Sequence, residues 1–329
     1  MENIARRLLP LLAGVWASLL SAPTQAAGAS ECKPLQLLNS IKMTTNADRS
    51  RFYVPVQING TPKNFLLDTG GGITQILESV AKELKLEDTY SRVMMSDLYG
   101  HFSNRAVRIK TFDLGMQRGE DLKIQLDPTP ALPDDAAGLL STDLFLQYDI
   151  DLDFGANRLN YFSQDHCEGR VAYWPERPLA VIPIDLSGGH LNVDVTLDGQ
   201  PFHAVLDTGA PTTATGLSDI TGAFRLEPGS PELPLAADDP DHPDLKYYTH
   251  KFDRLSFGDI TVLNPQISLE PLFSIAGPMA GLKRKTIIIG LNVLRQLHIY
   301  IAYREKKLYV SPAGTGESAL IKNTSSTPP

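Results

Sequence analysis

The sequence predicts an all-β, mainly antiparallel protein built as two pseudo-symmetric, barrel-like lobes with a cleft between them. Three observations lead there. A segment recurs in register, each copy carries a hairpin signal, and glycine and proline are abundant at 25 and 24 of 329 residues, as in turn-rich β architectures. Residues 54–60 (VPVQING) run without a gap into Phe65-Leu66-Leu67-Asp68-Thr69-Gly70. Residues 193–199 (VDVTLDG) run without a gap into Ala204-Val205-Leu206-Asp207-Thr208-Gly209, at a constant offset of 139. Each copy alternates apolar and polar residues, turns at Asn-Gly or Asp-Gly, and returns as an apolar strand, the signature of a two-residue hairpin.

A second matched pair lies downstream. Residues 137–145 (AGLLSTDLF) precede the alternating strand 148–154, and residues 287–294 (IIIGLNVL) precede the strand 297–303. Each reads as strand, short helical turn, strand, and each closes on a further hairpin. Helices are expected at 76–86 and 217–224. The resulting organisation is a signal peptide over 1–29, a first lobe over 33–162, a linker over 163–178, a second lobe over 179–311 and a disordered tail over 312–329.

At the N-terminus, Arg6-Arg7 is followed by the uncharged apolar run 8–20 and then by small residues. The run is shorter than the roughly 20 residues a bilayer span needs, so it reads as a secretory signal cleaved after Ala26 or Ala29; the alternative is an uncleaved amphipathic anchor. The mature chain is expected to be periplasmic or extracellular, without stable membrane insertion. The two cysteines, Cys32 and Cys167, bracket one repeat. In an oxidising compartment we expect them to bond rather than to remain two free thiols, closing a loop of more than 100 residues that constrains the unfolded chain by roughly 4–5 kcal/mol. The formal net charge is −8, which leaves no electrostatic footprint for nucleic acid.

The chemistry suggested by two Asp-Thr-Gly turns is water activation. Hydrolysis of an amide needs a base for the water and an acid for the leaving amine. Two carboxylates about 3 Å apart, one from each lobe, share a proton and supply both. The following threonine can tie the loops together, and the glycine permits close backbone approach. A single Asp-Thr-Gly could simply cap a hairpin; duplication in register with a matching downstream element argues against that. Asp149, Asp151 and Asp153 alternate with apolar residues and read as acids on the wet face of a half-exposed strand. His203 and His298 read as solvated or hydrogen-bonded strand residues. The acidic run 238–244 lacks calcium-loop spacing and reads as a solvated loop.

These paired motifs resemble the aspartic peptidases, and the run Ile287–Leu294 resembles the retropepsin-like branch, here as two units fused in one exported chain of bacterial type. The resemblance spans roughly residues 50–162 and 190–310. It implies the bilobal acid-protease fold, Asp68 and Asp207 as the catalytic dyad, and Thr69, Gly70, Thr208 and Gly209 as supporting turns. It implies a flap hairpin over 92–110 with Tyr99 and Gly100 near its tip, and a second flap region over 228–248. The implied activity is aspartic endopeptidase on an extended polypeptide, by a monomer, with no metal, no cofactor and no covalent intermediate. The alternative is an inactive peptide-binding module on the same fold. The chain departs from the family pattern at Gly71, where Ala or Ser is usual, at Ser141, where Gly is usual, and at Leu291, where many retroviral members carry Arg.

Overall fold

The computed structural model describes residues 32–96, 102–129, 131–174, 180–238, 245–271, 285–313 and 321–323. The signal-peptide expectation therefore lies outside the described residues, as do Tyr99 and Gly100.

In the first lobe, strands Phe52–Ile58 and Thr61–Leu67 pair antiparallel, with Val54 opposite Phe65 and Ile58 opposite Thr61. The turn between them places Asn59 at φ 50° and Gly60 at φ 82°, the left-handed pair that an Asn-Gly turn accommodates. Eight strands form this sheet, and an extra pairing between Phe52–Ile58 and Phe102–Leu114 closes it towards a barrel. The second lobe repeats the plan. Strands Asn192–Leu197 and Gln200–Leu206 pair with Val193 opposite Ala204, and Asp198 and Gly199 turn at φ 45° and 79°. This lobe belongs to a ten-stranded sheet. The expected helices form over Glu78–Glu83 and Leu217–Phe224, and the expected short helical turn of the second lobe is Leu291–Leu294. The first is shorter than expected because Gln75–Leu77 is drawn into the sheet as a strand. The flap expectation of the first lobe corresponds to the paired strands Glu87–Ser96 and Phe102–Leu114, and that of the second includes the pairing of Leu235–Asp238 with Lys246–Lys251.

A third, six-stranded sheet joins the halves. Its order is Leu37–Lys42, Arg158–Phe162, Asp149–Asp153, Leu297–Ala302, Lys307–Pro312 and Ala180–Pro183, three strands from each half. The halves meet where Ile150 faces Ile301 and Leu152 faces Ile299. This sheet corrects the reading of Asp149 and Asp151 as water-facing acids: both are fully buried. The segment after Ser163 covers the face that alternation assigned to water. Val171 and Trp174 pack there on Phe162, Tyr300 and Tyr309, and Trp174 Nε1 donates to Ser311 Oγ at 2.9 Å. The expected linker is thus, through residue 174, part of the packing. The stretch expected to be a disordered tail also holds structure. Pro312 ends a strand, and Ile321–Asn323 pairs with Ile260–Leu263 as an edge strand. Cys32 and Cys167 are both disulfide-bonded.

Buried carboxylates need partners, and each of these has a histidine. His166 Nε2 lies 2.6 Å from Asp149 Oδ2, and His298 Nε2 lies 2.6 Å from Asp151 Oδ1. Asp149 also accepts from Tyr300 Oη and the Tyr303 amide. Asp151 also accepts from Tyr173 Oη and Asn160 Nδ2. Trp174 stacks on His298 with ring centroids 4.3 Å apart. Burial pulls the His166 pKa down, but its bonds to Asp149 and the Cys167 carbonyl more than offset this, so the net shift is upward. A histidine with a raised folded pKa stabilises fully below the unfolded value near 6.5 and loses that contribution as pH rises through the folded value. His166→Asn should therefore lower the urea-unfolding free energy by about 3 kcal/mol at pH 5–6. The gap to wild type should narrow above neutrality.

Candidate active site

Asp68 and Asp207 end the second strands of the two repeated hairpins. Each is fixed by a parallel partner strand: the Asp68 amide donates to the Leu140 carbonyl at 2.9 Å and the Asp207 amide to the Ile289 carbonyl at 3.0 Å. These partners are the downstream segments that the repeat singled out, pairing Leu67 with Leu140 and Leu206 with Ile289.

The turns interlock through their threonines. Thr69 Oγ1 donates to the Leu206 carbonyl at 2.8 Å and accepts the Thr208 amide at 3.1 Å. Reciprocally, Thr208 Oγ1 donates to the Leu67 carbonyl at 2.8 Å and accepts the Thr69 amide at 3.0 Å. Both threonines are 1% exposed. Each hydroxyl satisfies a donor and an acceptor that would otherwise be buried unpaired, at about 1–3 kcal/mol per group.

The glycines have a steric reason. A Cβ on Gly70 would lie 2.2 Å from Asp207 Cγ, and one on Gly209 would lie 2.6 Å from Asp68 Oδ1. Each backbone thus lies against the carboxylate of the opposite lobe. Within each turn, Asp68 Oδ1 accepts the Gly71 amide at 2.9 Å, and Asp207 Oδ1 accepts the Gly209 and Ala210 amides at 2.7 and 3.1 Å. The two carboxyls border one spot: a Cβ on Gly209 would lie 2.6 Å from Asp68 Oδ1 and 3.1 Å from Asp207 Oδ1. Burial, then the charge of Asp207, holds the Asp68 carboxyl well above its usual range. Burial also raises Asp207, opposed by the hydrogen bonds it accepts from Asp68 and from backbone amides. Both carboxyls are thus raised, and they titrate together as a pair.

Sequence reasoning missed a second ring of contacts. Thr74 Oγ1 and its amide both donate to Asp143 Oδ1 at 2.6 and 2.9 Å, and Thr213 repeats the pattern on Asn292 Oδ1 at 2.8 Å for both bonds. The Asp/Asn of the downstream segment and the 139-residue offset between Thr74 and Thr213 were the available signals. His190, from the loop after Ser187–Gly189, has Nδ1 2.7 Å from the Gly70 carbonyl. Arg51 stands at the matching place in the first repeat, so the repeat gave no hint of it.

Residues 54–144 match the family model described as aspartyl protease. The match includes Asp68-Thr69-Gly70 and the segment 137–144 that holds Asp68 in place. Among solved structures, a retropepsin-like aspartic protease from Rickettsia conorii is 17% identical with a TM-score of 0.28, covering 39% of this chain and 93% of its own. No curated protein matches the chain significantly. The second lobe, outside that match, adds an Asp-Thr-Gly turn in the same hydrogen-bonded setting, meeting the first across the threonine pair.

Two buried acids with raised pKa values weaken the fold as pH rises, because the folded state binds protons more tightly than the unfolded one. Asp68→Asn should therefore raise the thermal midpoint at pH 7 by about 2–4 °C for each kcal/mol relieved. The gain should vanish towards pH 4, and differential scanning calorimetry across that range reads it directly.

Proposed function

We propose that the chain is an aspartic endopeptidase that hydrolyses peptide bonds with a water held between Asp68 and Asp207. The observation that carries this reading is the meeting of the two buried carboxyls, one from each Asp-Thr-Gly turn, at a single spot where a Cβ on Gly209 would lie 2.6 Å from Asp68 Oδ1 and 3.1 Å from Asp207 Oδ1. A buried pair in this contact carries one proton between them. Asp207, ionised, takes a proton from the water as its oxygen attacks the scissile carbonyl carbon. Asp68 gives its proton to the carbonyl oxygen as the double bond opens. The result is a neutral geminal diol. The proton now on Asp207 passes to the amide nitrogen as the C–N bond breaks, and a diol hydroxyl proton returns to Asp68 as the carbonyl re-forms. Each proton is accounted for, and the dyad ends as it began.

The substrate in this reading is a polypeptide in extended conformation, paired strand-like with the cleft, and the working form is a monomer because one chain supplies both acids. We place the mature protein in the periplasm or outside the cell. The basic-then-apolar N-terminal pattern and the disulfide-bonded state of Cys32 and Cys167 support this.

The test is cleavage of a diverse peptide library by the mature protein from pH 3 to 8, beside Asp68→Asn and Asp207→Asn. Wild type should cut, and each variant should lose at least about 1,000-fold in kcat/KM, in keeping with removal of an essential acid or base. A wild type that binds peptides at every pH without cutting them would make this a peptide-binding module. Secretion from a bacterial host should yield a chain whose intact mass begins at residue 27 or 30; a mass retaining Met1 would contradict export with cleavage.

A further inference from the structure

The two lobes differ at one pair of positions beside the dyad. After the first Asp-Thr-Gly stands Gly71, and its downstream neighbour is Ser141. After the second stands Ala210, and its downstream neighbour is Gly290. A side chain has in effect moved from one loop to the facing one. The structure shows what occupies the place. A Cβ on Gly71 would lie 2.5 Å from Ser141 Oγ and 2.6 Å from Asp68 Oδ2. The Ser141 hydroxyl and the outer oxygen of Asp68 therefore border the same small space, which the missing side chain at 71 leaves to them.

Ser141 is completely buried, and its Oγ has no hydrogen-bond partner. Its backbone is fixed independently, by its amide donating to Thr74 Oγ1 at 3.1 Å, so the hydroxyl is not needed to hold the loop. A buried hydroxyl without a partner is uncommon and disfavoured. Asp68 Oδ1 is already engaged by the Gly71 amide, whereas Oδ2 borders the space that the Ser141 hydroxyl also borders.

We infer that Ser141 is a positioning residue for the dyad, its hydroxyl turning to donate to Asp68 Oδ2 when that carboxyl loses its proton. This rests on the aspartic-peptidase reading of the site. A donor to the ionised form favours ionisation. A donor to either carboxylate of a proton-sharing pair eases loss of that proton, so Ser141 sets the alkaline limb of activity, where the shared proton leaves and the acid role is lost. The titratable groups around Asp68 are Asp207 opposite it, His190 on the Gly70 carbonyl and Asp143 behind Thr74. None of them donates to Oδ2 from the side of residue 141.

The experiment compares wild type with Ser141→Ala and Ser141→Gly, which both remove the hydroxyl but differ in how they fill the space. Two readouts are taken: the pH profile of kcat/KM on a cleaved peptide, and the 13C titration of the Asp68 carboxyl by NMR without substrate. Ser141→Ala should move the alkaline limb and the Asp68 titration up by about half to one pH unit, and move the acid limb less. Ser141→Gly should shift both by the same amount. Coincident titrations in wild type and Ser141→Ala overturn the inference, and so does a Ser141→Gly shift unlike that of Ser141→Ala, since packing would then be the cause. The NMR titration stands whether or not the protein cuts peptides, so failure of the peptidase reading alone would show as normal titration shifts with no cleavage.

Discussion

The reciprocal lock between Thr69 and Thr208 is the constraint on which the site depends. It joins two lobes at backbone level, with each hydroxyl reading the other lobe's carbonyl and amide. Because it sits one residue beyond each aspartate, it fixes the spacing of the carboxyls to within the play of a hydrogen bond. The alternative positions for two buried acids, further apart or open to water, would each ionise independently and lose the shared proton. The glycines that follow are a consequence: a lock this tight brings each turn's backbone against the opposing carboxylate, where a Cβ has no room.

The six-stranded sheet does for the lobes what the lock does for the turns. Three strands come from each half, so the relation of one lobe to the other is set by main-chain pairing between Asp149–Asp153 and Leu297–Ala302. Two aspartate–histidine pairs lie within it, enclosed by Tyr173, Trp174 and Tyr300. Apolar residues of the same volume can stabilise such a position as well or better. What the polar pairs add is geometric definition, since each carboxylate accepts several donors from different strands and only one register satisfies them.

Local pattern and repetition made most of this legible. The hairpins, their Asn-Gly and Asp-Gly turns and the two carboxylates themselves follow from alternation and the 139-residue offset, and the downstream strands follow from their own recurrence, though not their parallel pairing behind each aspartate. Features that depend on what covers a surface were not legible. Alternation marks Asp149 and Asp151 correctly as sharing a face, but the segment that buries that face lies downstream and carries no periodicity of its own. Ile321–Asn323 was invisible for a similar reason: an edge strand of three residues is defined by its partner, not by its composition. His190 reaches the site from a loop whose counterpart in the first repeat bears Arg51, so similarity between the halves pointed away from it. Gly71 and Ser141 were visible as departures, but their relation required knowing that the two loops face each other.

Fusion of two lobes in one chain removes an ambiguity that a symmetric pair cannot avoid. Around a perfect two-fold axis, an extended polypeptide laid across the dyad meets the same surroundings whichever end enters first. Here the Asp68 side carries Ser141, His190 and the ionisable Asp143, while the Asp207 side carries Ala210, Gly290 and the neutral Asn292. The two sides of the dyad therefore present different chemistry, and the approach to them from one lobe is not equivalent to that from the other. Each half is also free to change without imposing the same change on its twin.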